Sequence, residues 1–167
     1  MINIKNAAKI LDSKPDLLAR QVILDTAQNK NQIIYGGKAI NQQLPVYLRK
    51  DTSDYDILTK KPKKAAIEIA NKLNKYIGRK EFTVEPAQHK GTYKIKYRGE
   101  TIADYTQLKR NPKVTSVFGN KYYDIKSIKK NVQRLIKKEE TKYRRGKDLS
   151  TLQRIQELEE IEKKFNL

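Results

Sequence analysis

Hydrophobic positions change their spacing several times along the chain, and each spacing predicts a different element. In the first half, apolar residues recur at helical intervals in four segments, and Pro15 stands where it can open one of them. Two short apolar runs are instead typical of buried strands, because turn-forming or polar residues bound them. This pattern predicts helices at 7–11, 17–27, 38–44 and 62–77 and strands at 32–35 and 55–58.

The middle of the chain is rich in β-favouring residues. They predict strands at 82–84, 92–97 and 100–105, the last two joined by a tight turn at Arg98-Gly99. The segment 111–124 begins with Asn-Pro and contains Phe-Gly, and we expect it to be a loop. We therefore expect a hairpin of the strands at 92–97 and 100–105, with the strand at 82–84 beside it.

The last part of the chain predicts two helical segments interrupted at Gly146. Apolar residues of the second segment recur at helical spacing and predict an amphipathic packing face, formed by Leu149, Leu152, Ile155, Leu158, Ile161 and Phe165. We therefore expect an α/β (α+β) fold with a small mixed β-sheet flanked by helices. Residues 1–110 would form the core with its N-terminal helices, and 111–167 a basic C-terminal helical extension packed on that core.

Positive charge is abundant and unevenly distributed. The chain of 167 residues has 37 Lys and Arg against 19 Asp and Glu, a net charge of +18. Between residues 106 and 147 there are fourteen basic residues and three acidic ones. Solvation of helix faces could account for part of this excess, but its localisation favours a nucleic acid or a nucleotide polyphosphate as partner.

Several classes of site are excluded by composition. The chain has no cysteine and one histidine, His89, so disulfides, thiolate metal sites and multi-histidine zinc sites are excluded. Any metal site must use carboxylates, which suits Mg²⁺ or Mn²⁺. No apolar stretch approaches membrane-spanning length and no signal-peptide pattern is present, so we expect a cytoplasmic protein with no membrane contact.

Candidate chemistry begins with Gly36-Gly37, which follows a short apolar run and precedes Asp54-Tyr55-Asp56. Glycine allows the backbone to approach phosphate closely, and a helix that starts just beyond it directs N–H groups at the anion. Two aspartates at positions i and i+2 of a strand project from one face, where both can reach one pair of metal ions. The order therefore suits a site that holds a nucleotide's phosphates beside divalent metal.

Asp104 is the candidate third carboxylate, since it lies in a predicted strand among apolar residues. An acidic residue there is costly unless it is paired or bound to metal. A single Asp-x-Asp is most often solvated surface, but a third aspartate, the glycine pair and the basic excess together favour a metal site. In a two-metal mechanism Asp54 and Asp56 would bridge both ions. Asp104 would complete the ion that activates an acceptor hydroxyl, and it could accept that hydroxyl's proton.

These residues resemble the nucleotidyltransferase superfamily, whose folds are similar to the catalytic core of DNA polymerase β. The resemblance extends to the poly(A) polymerase catalytic subunits of large nucleocytoplasmic DNA viruses. It spans about residues 33–108 and rests on Tyr35-Gly36-Gly37-Lys38-Ala39-Ile40-Asn41, Asp54-Tyr55-Asp56, Pro62-Lys63-Lys64, His89-Lys90-Gly91-Thr92 and Ala103-Asp104-Tyr105-Thr106. Lys38 departs from the family pattern, in which a small hydroxyl residue is common.

The resemblance implies a palm-like core, two metal ions and transfer of NMP from an NTP, with ATP as first candidate, to an RNA 3′-hydroxyl. The protein would be a compact, viral poly(A) polymerase acting in the host cell. Gly36, Gly37, Lys38, Asn41 and His89 would contact the nucleotide. Basic residues of the C-terminal helices would bind RNA, and we assign this role to Lys129, Lys130, Arg144, Arg145 and Lys147.

Three alternatives remain open at the level of sequence. The C-terminal helices could dock a protein partner instead of RNA. The chain could be a minimal nucleotidyltransferase that modifies a protein or a tRNA. It could also be a catalytically silent basic module that binds nucleic acid and keeps the fold as a scaffold.

Overall fold

Seven strands form one mixed sheet in the computed structural model, which describes residues 15–167. The strands are β1 (Ile33–Tyr35), β2 (Tyr55–Thr59), β3 (Phe82–Pro86), β4 (Thr92–Tyr97), β5 (Glu100–Gln107), β6 (Val114–Val117) and β7 (Asn120–Tyr123). Their spatial order is β3-β4-β5-β2-β1-β7-β6. β5 runs parallel to β2, β7 runs parallel to β1, and the other neighbours are antiparallel.

The helices are α1 (Pro15–Asn29), α2 (Gly36–Gln42), α3 (Pro62–Ile77), α4 (Ile125–Ile136) and α5 (Arg145–Phe165), with 3₁₀ turns at Val46–Leu48 and Glu139–Arg144. Proline at the first position of α3 and Gly78 just beyond its end, with a φ of +73°, set the limits of that helix. None of these helices in residues 15–167 is both long and apolar enough to cross a membrane.

One face of the sheet is covered by α1 and α3, and the opposite face carries the polar residues of interest. Ile34, Ile57 and Tyr105 are fully buried in the core with apolar side chains of both helices. Because side chains alternate along a strand, Tyr35, Asp56 and the residues in register with them lie on the other face. We call this second side the open face of the sheet.

The predicted fold class is confirmed, and the five predicted strands all occur. The loop expected at 111–124 is wrong, since β6 and β7 form a hairpin there. Phe118 and Gly119, with φ of +49° and +82°, make its two-residue turn. The hairpin joins the sheet through pairing of β7 with β1, so the sheet continues past residue 110 and the helical part begins at Ile125. The division of the chain into a core and a C-terminal extension at residues 110 and 111 stays a prediction. The helix predicted at 7–11 lies outside the described residues.

The C-terminal helices differ from expectation in where they break and which face they bury. The interruption is the 3₁₀ turn Glu139–Arg144, and Gly146 lies in the first turn of α5. Of the predicted apolar stripe, Ile155 is buried, whereas Leu149 is 49% exposed and Phe165 63% exposed. The buried face includes Asp148 instead, which has only 2% of its surface exposed.

Asp148 is paired with Arg144, whose Nε lies 3.0 Å from Oδ2 and whose Nη2 lies 3.0 Å from Oδ1. A carboxylate this deeply buried is tolerated only with such a partner. The ion pair therefore fixes the start of α5 against the 3₁₀ turn that precedes it.

Candidate active site

Two neighbouring parallel strands bring three aspartates together on the open face. Asp54 immediately precedes β2, Asp56 is the second residue of β2, and Asp104 lies in β5 directly opposite Asp56. One carboxylate oxygen of each residue lies within 4.8 Å of the other two. All three side chains are partly exposed, so the cluster is open to a ligand.

Gly36 is in direct contact with this cluster. Its φ is +66°, and a Cβ added there would lie 2.1 Å from Oδ2 of Asp56. Both the backbone conformation and the missing side chain are therefore required at this position. The backbone at the start of α2 consequently lies against one of the carboxylates.

The rest of α2 anchors the segment that leads to Asp54. Lys38 donates a hydrogen bond from Nζ to the carbonyl of Thr52 at 2.7 Å, and its ammonium lies 4.8 Å from the centre of the Tyr55 ring. Asn41 bonds the backbone of Lys50 twice, as donor to its carbonyl and as acceptor from its N–H. A Cβ on Gly37 would meet the methyl of Thr52 at 2.4 Å. Close packing between α2 and this segment thus fixes where β2 begins.

Three hydroxyl groups lie along the open face beside the carboxylates. The Tyr35 hydroxyl is 2.9 Å from Oγ1 of Thr106, which is in turn 2.9 Å from Oγ1 of Thr92. Burial, and then the negative charge of Asp56, raises the pKa of Tyr35 to about 12. The tyrosine is therefore neutral at physiological pH and acts as a hydrogen-bonding group.

The cluster carries more negative charge than its surroundings neutralise. Burial, followed by repulsion from Asp54 and Asp104, raises the pKa of Asp56 from 3.8 to about 7. Lys147 and Lys94 act in the opposite direction and lower it. Burial contributes most to this rise and the two neighbouring carboxylates add to it, and a bound cation would favour the ionised form of Asp56.

Lys94 is the basic residue in direct contact with the cluster. Its Nζ lies 3.3 Å and 3.4 Å from the two carboxylate oxygens of Asp104, opposite which it stands in the β4–β5 pairing. The sequence reasoning missed Lys94, because only the pairing of β4 with β5 brings it there. The alternation of Lys94 and Lys96 with Ile95 in β4 was the available signal, since it predicts that both lysines share a face.

The residues present fit a divalent metal of the Mg²⁺ type. Three carboxylates from two strands supply oxygen ligands, which Mg²⁺ and Mn²⁺ prefer. The raised pKa of Asp56 is consistent with a donor set arranged for a cation.

For three other predicted site residues, the structure gives no hydrogen bond or ion pair with the carboxylates among residues 15–167. His89 is exposed in the turn between β3 and β4. Within residues 15–167, its side chain forms no hydrogen bond or ion pair with the aspartates. Lys129 pairs with Glu159 of α5 at 2.6 Å, and Lys130 is exposed on α4. The assigned roles of these residues remain predictions.

The three basic residues near the start of α5 have different surroundings. Arg144 is held by Asp148, and Arg145 is half-buried in the first turn. Lys147 is exposed and close enough to Asp56 to lower its pKa. Of the five basic residues assigned to RNA, Lys147 thus has an electrostatic link to the carboxylates, and its contact with RNA stays a prediction.

The sheet and its aspartates define a nucleotidyltransferase-like protein. The chain matches the poly(A) polymerase catalytic subunit family over residues 21–140, and it belongs to that family. Among solved structures, the Megavirus polyadenylate synthase has the same fold, with a TM-score of 0.74 and 19% sequence identity. The match covers 83% of this chain and 30% of that protein, so this chain spans under a third of its length. No curated protein sequence matches the chain.

Proposed function

We propose that this chain transfers NMP from an NTP, with ATP as first candidate, to the 3′-hydroxyl of RNA without a template. The observation that carries the proposal is the convergence of three carboxylates within 4.8 Å of one another, in contact with the backbone of Gly36. Membership of the poly(A) polymerase catalytic subunit family supports the same reaction. The basic excess of the chain supports a polyanionic acceptor.

The reaction is a displacement at phosphorus. The acceptor oxygen bonds to the α-phosphorus, the bond from that phosphorus to the bridging oxygen breaks, and pyrophosphate leaves with the displaced electron pair. The acceptor hydroxyl loses its proton, for which Asp104 is the candidate acceptor. Asp54, Asp56 and Asp104 would hold the metal. When bound, divalent cations supply positive charge for the attacking and leaving oxygens.

The protein's own groups position the nucleotide and keep the carboxylates in place. Backbone N–H groups at Gly36 and Gly37 would bond phosphate oxygens beside Asp56. A side chain at Gly36 would collide with Asp56, and one at Gly37 would collide with Thr52. Lys38 and Asn41 would act on the nucleotide mainly through the segment that they hold before Asp54. The neutral hydroxyl of Tyr35 offers a hydrogen bond within the same site.

An extension assay tests the proposal. A short end-labelled RNA is incubated with the protein, Mg²⁺ and each NTP in turn, and product lengths are read on a denaturing gel. We expect extension with at least one NTP, its loss in EDTA, and a fall on the order of hundredfold or more in Asp54→Asn and Asp104→Asn, because each removes charge stabilisation worth several kcal/mol.

Asp25→Asn is the matched control, since Asp25 is exposed on α1 and bonded to Gln21. It should retain full activity. Absence of extension with every NTP would refute RNA polymerisation. Label from ATP that appears on a polypeptide or on one tRNA end would indicate a modifying nucleotidyltransferase. RNA binding that is unchanged after loss of all three carboxylates, without transfer to any acceptor, would indicate a binding module.

A further inference from the structure

A cavity of about 640 Å³ lies where β1 begins and β2 ends, and its lining comes from the sheet, from the start of α3 and from the loop that follows α1. Its apolar floor includes Ile33 and Leu58, which are paired in register between β1 and β2. Leu58 lies two residues beyond Asp56 on β2, so the floor begins about 7 Å from that aspartate. Ile33 and Leu58 share the open face with Tyr35 and Asp56 by strand alternation, so this part of the cavity adjoins the candidate active site along β2.

The rim of this cavity is strongly basic. Its described lining contains five lysines and one acidic residue, Glu68, which pairs with Lys30. We call it the lysine-rimmed cavity, after Lys30, Lys60, Lys61, Lys64 and Lys121. Four of these charges are left without an acidic counterpart in the lining, so the cavity attracts an anion.

The first turn of α3 forms part of the same rim. Within the described part of the chain no side chain caps this 16-residue helix, and its first turn holds no acidic residue. Lys61 and Lys64 line the cavity at this end. Cations at a helix N-terminus are unfavourable by themselves, because its free N–H groups already carry partial positive charge. An anion in the cavity would relieve this repulsion and accept hydrogen bonds from those groups.

A buried polar group in the lining indicates a ligand that is more than an inorganic anion. Gln32 is only 4% exposed and lines the cavity. Its Oε1 is buried and has no hydrogen-bond partner among residues 15–167. An unpaired buried amide oxygen is costly, and a ligand N–H or O–H donor would satisfy it. A nucleotide combines such donors, on its base or ribose, with a phosphate for the lysines and an aromatic base whose flat face can pack on the apolar floor.

We propose that the lysine-rimmed cavity holds a nucleotide unit of the RNA acceptor upstream of its 3′ end. This inference rests on the proposed function, because it takes RNA to be the chain that reaches the carboxylates. Phosphates would lie against Lys60, Lys64 and the N-terminus of α3. The base or ribose would contact the apolar floor and donate a hydrogen bond to Gln32.

Binding of a labelled single-stranded oligoadenylate in EDTA, measured across a salt series, tests the inference. The variant Lys60→Ala/Lys64→Ala removes two exposed rim charges, and Lys72→Ala/Lys75→Ala removes two exposed charges farther along α3. Loss of two phosphate contacts should reduce the magnitude of the slope of log K against log[salt] by about 1.4, where K is the association constant for RNA. The affinity at 0.1 M salt should fall on the order of tenfold. The control pair should leave both nearly unchanged. Equal losses in the two variants would overturn the inference.

Gln32→Leu provides a second measurement. It removes the unpaired amide, so we expect a higher melting temperature together with weaker RNA binding, a combination that a purely structural role would not give. If Lys60→Ala/Lys64→Ala weakens ATP binding and leaves RNA binding unchanged, the cavity holds a free nucleotide and the RNA assignment is wrong. Because binding is measured without turnover, absence of RNA extension would refute the proposed function alone. Unchanged RNA binding in this variant would refute the cavity assignment alone.

Discussion

The substitution Asp56→Asn should stabilise the metal-free protein at neutral pH while it abolishes transfer. Burial and the two neighbouring carboxylates raise the pKa of Asp56 from 3.8 to about 7. One pKa unit corresponds to 1.36 kcal/mol, so a shift of this size disfavours the ionised folded state by about 4 kcal/mol. Asparagine keeps the shape and removes the charge. We therefore expect a gain of about 2–4 kcal/mol in the free energy of unfolding above pH 7, the lower figure allowing for water in the open site.

The pH dependence of this gain has a defined sign. Below pH 3.8 Asp56 is protonated in both the folded and the unfolded chain, and the charge contributes nothing. Between pH 3.8 and about 7 the unfolded chain is ionised while the folded chain is protonated, so wild-type stability falls as the pH rises. Above pH 7 both states are ionised and the difference is constant. The advantage of the variant should therefore grow from pH 4 to pH 7 and then level off.

Urea denaturation in EDTA at several pH values measures the effect, as the difference between wild type and variant. Asp25→Asn serves as control and should give a small, pH-independent difference, because Asp25 is exposed on α1. Added Mg²⁺ should stabilise the wild type more than Asp56→Asn, since it binds the folded state through the lost carboxylate. A variant that is less stable than wild type at pH 8, or a difference that does not change between pH 4 and pH 7, would refute the electrostatic reasoning.

Two further substitutions follow from close contacts. Gly36→Ala should reduce RNA extension on the order of hundredfold, because the added Cβ would displace the Asp56 carboxylate. Gly146→Ala is the control, since its Cβ would have nothing within 4 Å. A Gly36→Ala variant with normal extension activity would contradict this geometry. Arg144→Ala should lower the free energy of unfolding by about 3–5 kcal/mol, since it leaves the Asp148 carboxylate buried and unpaired. In urea denaturation, the double variant Arg144→Ala/Asp148→Ala should regain part of the lost free energy of unfolding. If Arg144→Ala is as stable as wild type, the ion pair does not stabilise the protein.

Local sequence patterns sufficed for the strands that carry the carboxylates. β2 and β5 were predictable because their apolar residues enter the core at a period of two, which a short window of sequence contains. β6 and β7 were not, because their position in the sheet depends on the pairing of β7 with β1, whose partner residues are 88 positions earlier in the chain. Taken from the local sequence alone, Asn111-Pro112 and Gly119 are typical of a loop, although Gly119 forms the turn of the β6–β7 hairpin.

The candidate site shows the same boundary between local and non-local information. Residue type and order predicted that the three aspartates act together, because carboxylates in apolar strands are costly unless they are paired or bound to metal. The structure brings them within 4.8 Å of one another. The contact of Lys94 with Asp104 depends on the register between β4 and β5, which sequence spacing leaves undetermined. Likewise Asn41 was predicted to contact nucleotide, and only the fold shows that it bonds the backbone of Lys50.

The aspartate cluster and the lysine-rimmed cavity lie at separate places along β2, and this separation bears on how RNA would lie across the sheet. Phosphates are repelled by the aspartate cluster when no cation is bound, whereas the lysine-rimmed cavity, about 7 Å along β2, attracts them at all times. A strand held only by its phosphates would therefore bind the cavity first and approach the carboxylates when metal is present. In the proposed arrangement, metal controls entry of the 3′ end as well as the chemistry. Net charge alone could not produce this order, because it depends on where the fold places its acids and its lysines.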